Sequence, residues 1–208
     1  MKVLGIAAQK GGAGKTTLTV HLAVLAEQEG FNVVIADTDP QRSAIGWHKR
    51  RDSEYPVTVA LNTKQLPEMI ADAGRDGFNL IIIDSAPSHT EDVKDVCGVS
   101  DFTLIPSRPA VFDLDAIEAT VGLLSKLKAK AGIVLNACPA GRGGESSITY
   151  EARQVLAGSY APVSPFSITN RAALSHALID GRSVSEFEPT GKANKELKAL
   201  WNWIKEQL

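Results

Sequence analysis

Three short stretches of the sequence carry groups that could do chemistry together. The first is Lys10-Gly11-Gly12-Ala13-Gly14-Lys15-Thr16-Thr17, set between an apolar run at residues 3–8 and a helical pattern at 15–29. Glycines let successive backbone N–H groups turn inward around phosphate oxygens. A helix starting at Lys15 adds the positive end of its dipole. The Lys15 amine is suited to neutralising β- and γ-phosphates, and the Thr16 hydroxyl to ligating Mg²⁺. The second stretch is Asp37-Thr38-Asp39-Pro40-Gln41, directly after the apolar run Val33-Val34-Ile35-Ala36. Two carboxylates flanking one residue repel each other, and a nearby Mg²⁺ relieves that repulsion. The third is Leu80-Ile81-Ile82-Ile83-Asp84, where a rigid apolar strand would deliver a carboxylate to the same cation. Asn136, after Ile133-Val134-Leu135, carries an amide that both donates and accepts, which suits an adenine edge or a loop cap.

These groups need a scaffold that brings strand ends together. Short runs apolar on both faces recur at residues 3–8, 33–36, 57–60, 80–83, 102–105 and 132–137. Amphipathic runs separate them at 15–29, 43–51, 66–73, 91–97, 113–128, 149–156, 171–178 and 193–207. Gly30 stops the first helix, and Val163 opens a further short strand or loop. Apolar strands alternating with helices imply an α/β fold, with a mostly parallel sheet and helices on both faces. Ligands in such sheets sit beyond the C-terminal strand ends, just after Ala8, Ala36, Ile83 and Ala137.

The 208 residues fit one such domain, read as spanning 1–208. With 44% hydrophobic residues, 22% charged residues and a net charge of -2, no global field draws the chain to nucleic acid or membrane. Any polyanion contact must come from a local or assembled patch. No apolar stretch nears the ~20 residues that span a bilayer, and the first apolar run is too short for a secretory signal. Two cysteines, Cys97 and Cys138, fit a reducing cytosol and no disulfide framework.

The glycine loop departs from the standard phosphate-loop pattern, which wants Gly where Gln9 stands. With Lys10 ahead of the glycines it resembles the deviant Walker A motif of the ParA/MinD class of P-loop NTPases. Asp37-Thr38-Asp39-Pro40-Gln41 resembles the partition-ATPase "DxDPQ" stretch, and Asp84 with Pro87 matches that class's "DxxP". Residues 165–171 and 177–184 resemble the C-terminal part of the short, ParF-like members. The resemblance covers almost the whole chain, and it implies an ATPase that uses Mg²⁺, with slow basal turnover.

In the terms of that class, Lys10 reaches the partner's phosphates in an ATP sandwich dimer, from which polymers can be built. Asp39 orients the attacking water, Asp37 supports the metal shell, and Thr16 and Asp84 hold the metal. Asn136 contacts the base, with Pro165 and Phe166 packed nearby. The resemblance also implies a centromere-binding ParB-like adaptor, non-specific DNA binding and a cytoplasmic, nucleoid-associated ATP state, in the service of plasmid or chromosome partition. No helix-turn-helix fits ahead of the loop.

DNA contacts are the least legible part. Arg171, Arg182, Lys192 and Lys195 are candidates for DNA or partner, with a structural salt bridge as the other reading of Arg171. Lys126, Lys128, Lys130, Arg142 and Arg153 stand behind them. Residues 170–208 hold six basic and five acidic side chains, so they form no basic tail. A membrane-surface ATPase of the MinD type, or a positioner of another cargo, is the alternative function. Against membrane binding, Leu197, Leu200, Trp201, Ile204 and Leu208 form one stripe expected to dock on the domain, while Trp203 falls outside it. The cysteines are expected to be buried thiols and not ligands of a bridging iron–sulfur cluster. No arginine in the sequence is an obvious finger, so Lys10 and the partner are expected to supply transition-state charge.

Overall fold

The structure is a computed structural model that describes residues 1–87 and 90–208. Six strands form one fully parallel sheet: β1 (Lys2–Ile6), β2 (Val33–Asp37), β3 (Val57–Ala60), β4 (Leu80–Asp84), β5 (Phe102–Ser107) and β6 (Ala131–Leu135). Their order is β3-β2-β4-β1-β5-β6. Lys2 aligns with Leu80 and Ile6 with Asp84, so β1 and β4 end level with each other. Asp37 aligns with Asp84 in the same way on the other flank of β4. Register therefore places the glycine loop, Asp37 and Asp84 at one edge of the sheet.

The alternation of side chains builds two cores. Leu4, Ile6, Leu80 and Ile82 face α1 (Lys15–Gln28), α2 (Ser43–His48) and the C-terminal helices α7 (Ala172–Ala177), α8 (Val184–Phe187) and α9 (Lys192–Lys205). Val3, Ile81 and Ile83 face α3 (Leu66–Arg75), α4 (Thr90–Val99), α5 (Val111–Leu127) and α6 (Ser147–Val155). The neighbours β1 and β4 thus send their chains to opposite faces, which opens the crevice where ligands of such sheets bind.

Helix α1 is buried on every side from Leu18 to Ala26, because the sheet lies against one flank and α7–α9 against the other. Gly30, at φ 91, ends it, with the Phe31 N–H donating back to the Ala26 carbonyl at 3.1 Å. Helix α9 docks as its stripe requires, with Leu197, Leu200, Trp201 and Ile204 fully buried. Trp203 lies edge-on to Phe102, centroids 5.7 Å apart, in a slot that exists because Gly132 has no Cβ. A Cβ at Gly132 would come within 2.4 Å of that indole. Among the described residues no helix is long and apolar enough to cross a membrane.

Several boundaries differ from those the pattern suggests. Helix α2 stops at His48, three residues short of Arg51. Arg51 is instead drawn into a bidentate pair with Glu186, at 2.9 and 2.7 Å. The segment at 163–169 runs along β6 through single bridges, Ile133 to Val163 and Cys138 to Thr169, and covers that sheet edge.

His21 joins α1 to the C-terminal helices. Its Nδ1 accepts the Val184 N–H at 3.1 Å, so its Nε2 carries the proton toward the Leu174 carbonyl at 3.1 Å. Burial pulls its pKa down to about 4. As pH falls below the ordinary value near 6.5, the unfolded chain takes up a proton that the folded chain refuses, so stability is lost. Between pH 7 and pH 5 this group alone is expected to remove about 2 kcal/mol. Urea titrations of wild type and His21→Leu at both values check this. The variant should be the less stable at pH 7, and the gap should shrink by that amount at pH 5.

Candidate functional site

The end of β1 opens into the glycine loop. Gly12 and Gly14 adopt φ 73 and φ 90, angles that a side chain strains against. A Cβ on Gly14 would also stand 2.2 Å from the Asn136 amide nitrogen. Lys15 is only 6% exposed, its Nζ bonded to the Lys10 carbonyl at 3.4 Å. Burial lowers its pKa, against the opposing pull of Asp84 and Asp39.

Thr16 Oγ1 donates to Asp84 Oδ2 at 2.7 Å, and Thr19 Oγ1 to the other oxygen at 3.4 Å. The two metal candidates from the first and third stretches are thus in direct contact. Asp84 is wholly buried, and that burial pushes its pKa up to about 7, with Asp37 and Asp39 adding to the rise. Asp37 uses both oxygens on backbone, taking the Asp39 N–H at 3.1 Å and the Ile45 N–H at 3.1 Å. Its work in this structure is to fix Asp39 and the start of α2. Asp39 takes the Gln41 N–H at 2.8 Å and lines a cleft of about 410 Å³ with Thr38, Pro40, Ala86 and Pro87.

Hard oxygen donors at Thr16 and Asp84, with two further carboxylates whose repulsion a divalent cation relieves, fit Mg²⁺. Among the described residues no three His, Cys, Asp or Glu side chains form a metal cage of their own. Mg²⁺ typically takes one or two protein donors and leaves the rest of its shell to phosphate and water.

Other candidates are placed differently from one another. Asn136 Nδ2 donates to the Ala13 carbonyl at 2.7 Å, so the amide fastens the loop. Pro165 and Phe166 line a cavity of about 570 Å³ that runs from Cys138 and does not count Asn136 among its described walls. Lys192 and Lys195 stand exposed at this cavity. Arg171, also on its wall, is paired with Glu196 at 2.6 Å. Arg182 is paired with Asp180 at 2.7 Å and lies over the Phe187 ring. Lys10 is held within its own chain by Asp113, Nζ to Oδ2 2.7 Å. Cys97 and Cys138 are buried, and burial pushes both thiols up to about 11, the state of unreactive core cysteines.

Two residues at the loop escaped the motif search. Asp113 holds Lys10, and Arg108 donates to the Gly12 carbonyl. Both follow β5, roughly a hundred residues beyond the glycines, and no short-range spacing announces them.

Residues 4–184 match the family model described as the CobQ/CobB/MinD/ParA nucleotide binding domain. The maintenance of carboxysome distribution protein A of Halothiobacillus neapolitanus is 28% identical, over 97% of this chain and 95% of that protein. The chromosome-partitioning ATPase Soj of Thermus thermophilus is 24% identical, over 62% of this chain and 63% of its own. A solved ATP complex of an Asp-to-Ala variant of McdA from Cyanothece superposes with a TM-score of 0.71 at 20% identity, covering 100% of this chain and 96% of that one.

Proposed function

The chain belongs to the CobQ/CobB/MinD/ParA nucleotide-binding family as a ParA-like ATPase, and from that membership we propose that it is an ATP-driven positioning switch. The family binds ATP with Mg²⁺. The observation that carries the reading is the Thr16–Asp84 contact of 2.7 Å beneath a glycine loop with a buried Lys15, with Asp39 in the adjoining cleft.

In this reading the loop amides and Lys15 bind the phosphates, Thr16 and Asp84 hold Mg²⁺, and Asp39 orients the attacking water. The cation supplies charge neutralisation at the phosphates. Lys10 leaves Asp113 to complete the site of a second copy in an ATP dimer. The dimer aligns Lys192 and Lys195, and further lysines, into a face that binds DNA without reading sequence. A ParB-like adaptor on the cargo stimulates hydrolysis, and the dimer then separates.

The cargo in the first reading is a plasmid or chromosome. The carboxysome-distribution relative favours a second, in which the cargo is a large protein assembly. Both share the DNA-bound ATP state. Docking of α9 through its apolar stripe speaks against a membrane-surface mode, since that stripe is already used.

Retention of random-sequence duplex DNA tests the shared step. Retention is expected with ATP and not with ADP. It should weaken about tenfold or more as salt rises from 50 to 200 mM, as several phosphate contacts require. Equal retention in all nucleotide states, or none, would remove the DNA-bound switch.

A further inference from the structure

The connection after β5 touches the glycine loop at two points. Asp113, in the first turn of α5, accepts from Lys10 Nζ at 2.7 Å. Arg108, the residue after β5, donates from Nη2 to the Gly12 carbonyl. Gly12 sits at φ 73, and a Cβ there would come within 2.7 Å of the same Nη2. The guanidinium therefore occupies the space that any side chain at Gly12 would fill.

The two cations differ in how they are held. Lys10 is neutralised by a carboxylate. Arg108 is exposed, and among the described residues it forms no salt bridge. In a loop of this kind the N–H groups turn in toward the anion and the carbonyls turn out. A group resting on the Gly12 carbonyl therefore stands on the outer rim of the loop, beside the proposed phosphate site. An exposed hydrogen bond to a neutral carbonyl costs little to exchange, and a planar, permanently charged fork is suited to phosphate oxygens.

We propose that Arg108 is an arginine finger supplied in cis. This rests on the ATPase reading above. With ATP bound, the guanidinium turns from Gly12 to the terminal phosphoryl oxygens. It stabilises their charge as the water oxygen bonds to the γ-phosphorus and the bond to the β–γ bridging oxygen breaks. The bond's electron pair leaves with ADP, and the protons of the water end on inorganic phosphate and solvent. Lys10 rests on Asp113 in the isolated chain and, in the proposed dimer, serves the second copy's site instead.

The test uses the full chain with Arg108→Ala and Arg108→Lys, and two readouts. One is single-turnover ATP hydrolysis. The other is the affinity for a fluorescent ADP with Mg²⁺, with and without fluoroaluminate, which mimics the phosphoryl group in transfer. Arg108→Ala is expected to slow hydrolysis about a hundredfold, less than a fully enclosed finger supplies because the site is open. ADP affinity alone should stay within about threefold, and the tightening by fluoroaluminate should be lost. Arg108→Lys, keeping charge without the fork, should recover part of both.

Wild-type turnover with an Arg108→Ala rate within about twofold of it would overturn the proposal. So would a fall in plain ADP affinity that matches the fall in rate, since a clasp that only shapes the loop does that. A wild-type chain that binds ATP and never hydrolyses it would remove the ATPase reading, and this role with it. Arg108→Lys decides the matter should Arg108→Ala not fold.

Discussion

Replacing Asp39 with Ala is expected to leave ATP binding intact and to slow hydrolysis by about a hundredfold or more. The argument rests on what holds this carboxylate and what it does not hold. Its backbone N–H is fixed by Asp37, and one of its oxygens is fixed by the Gln41 N–H at 2.8 Å. Of the groups that bind phosphate and metal in the proposed site, Thr16 and Asp84 contact each other without it, and the Lys15 amine rests on the Lys10 carbonyl. Truncation should therefore spare binding while removing the group that orients water. Phosphate release in a single turnover, measured beside light scattering in ATP, separates the two. The dimer should persist in the variant, and a rate within about threefold of wild type would unseat Asp39.

Trp201→Ala is expected to cost about 3–5 kcal/mol, the range for removing a buried aromatic ring. At this chain length that is a fall of roughly 10 °C in Tm. Trp201 is 0% exposed, lies edge-on to Phe31 with centroids 5.8 Å apart, and donates from Nε1 to Glu29 at 3.0 Å. Lys205 reaches the same Glu29 carboxylate at 2.6 Å. Both Phe31 and Glu29 sit at the end of α1, so the loss strikes the helix that begins on the phosphate loop. Far-UV circular dichroism during heating checks it. A last helix that served as a detachable membrane tail would melt almost unchanged.

What the sequence made legible depended on distance along the chain. The glycine loop, Asp37, Asp39 and Asp84 could be read because each lies at the end of an apolar strand, and parallel pairing brings strand ends level. The sheet and the order of its helices followed from the same alternation. Pairings set by packing alone could not be read. Asp113 and Arg108 meet the loop only because β5 lies beside β1. Trp203 found no place on the stripe because its slot is made by an absent Cβ on β6 and a ring on β5. The ion pair of Arg171 with Glu196, 2.6 Å apart and 25 positions along the chain, was likewise beyond the reach of local spacing. Asn136 has an amide fit for a base, and its bond to the Ala13 carbonyl, 123 positions away, is another pairing that only packing reveals.

The pairing of Lys10 with Asp113 sets a toll on association. The lysine is 40% exposed and its carboxylate partner 9%, so the pair lies partly within reach of dissolved ions. Lending Lys10 to a second copy means first breaking this bond at home. Dissolved ions screen that attraction, and they also loosen the grip of lysines on DNA. In the proposed cycle, then, ionic strength works in two directions at once. It eases the release of Lys10 from Asp113 and hinders the joined pair from staying on its track, so that release and DNA retention should respond to salt with opposite signs in the same buffer series.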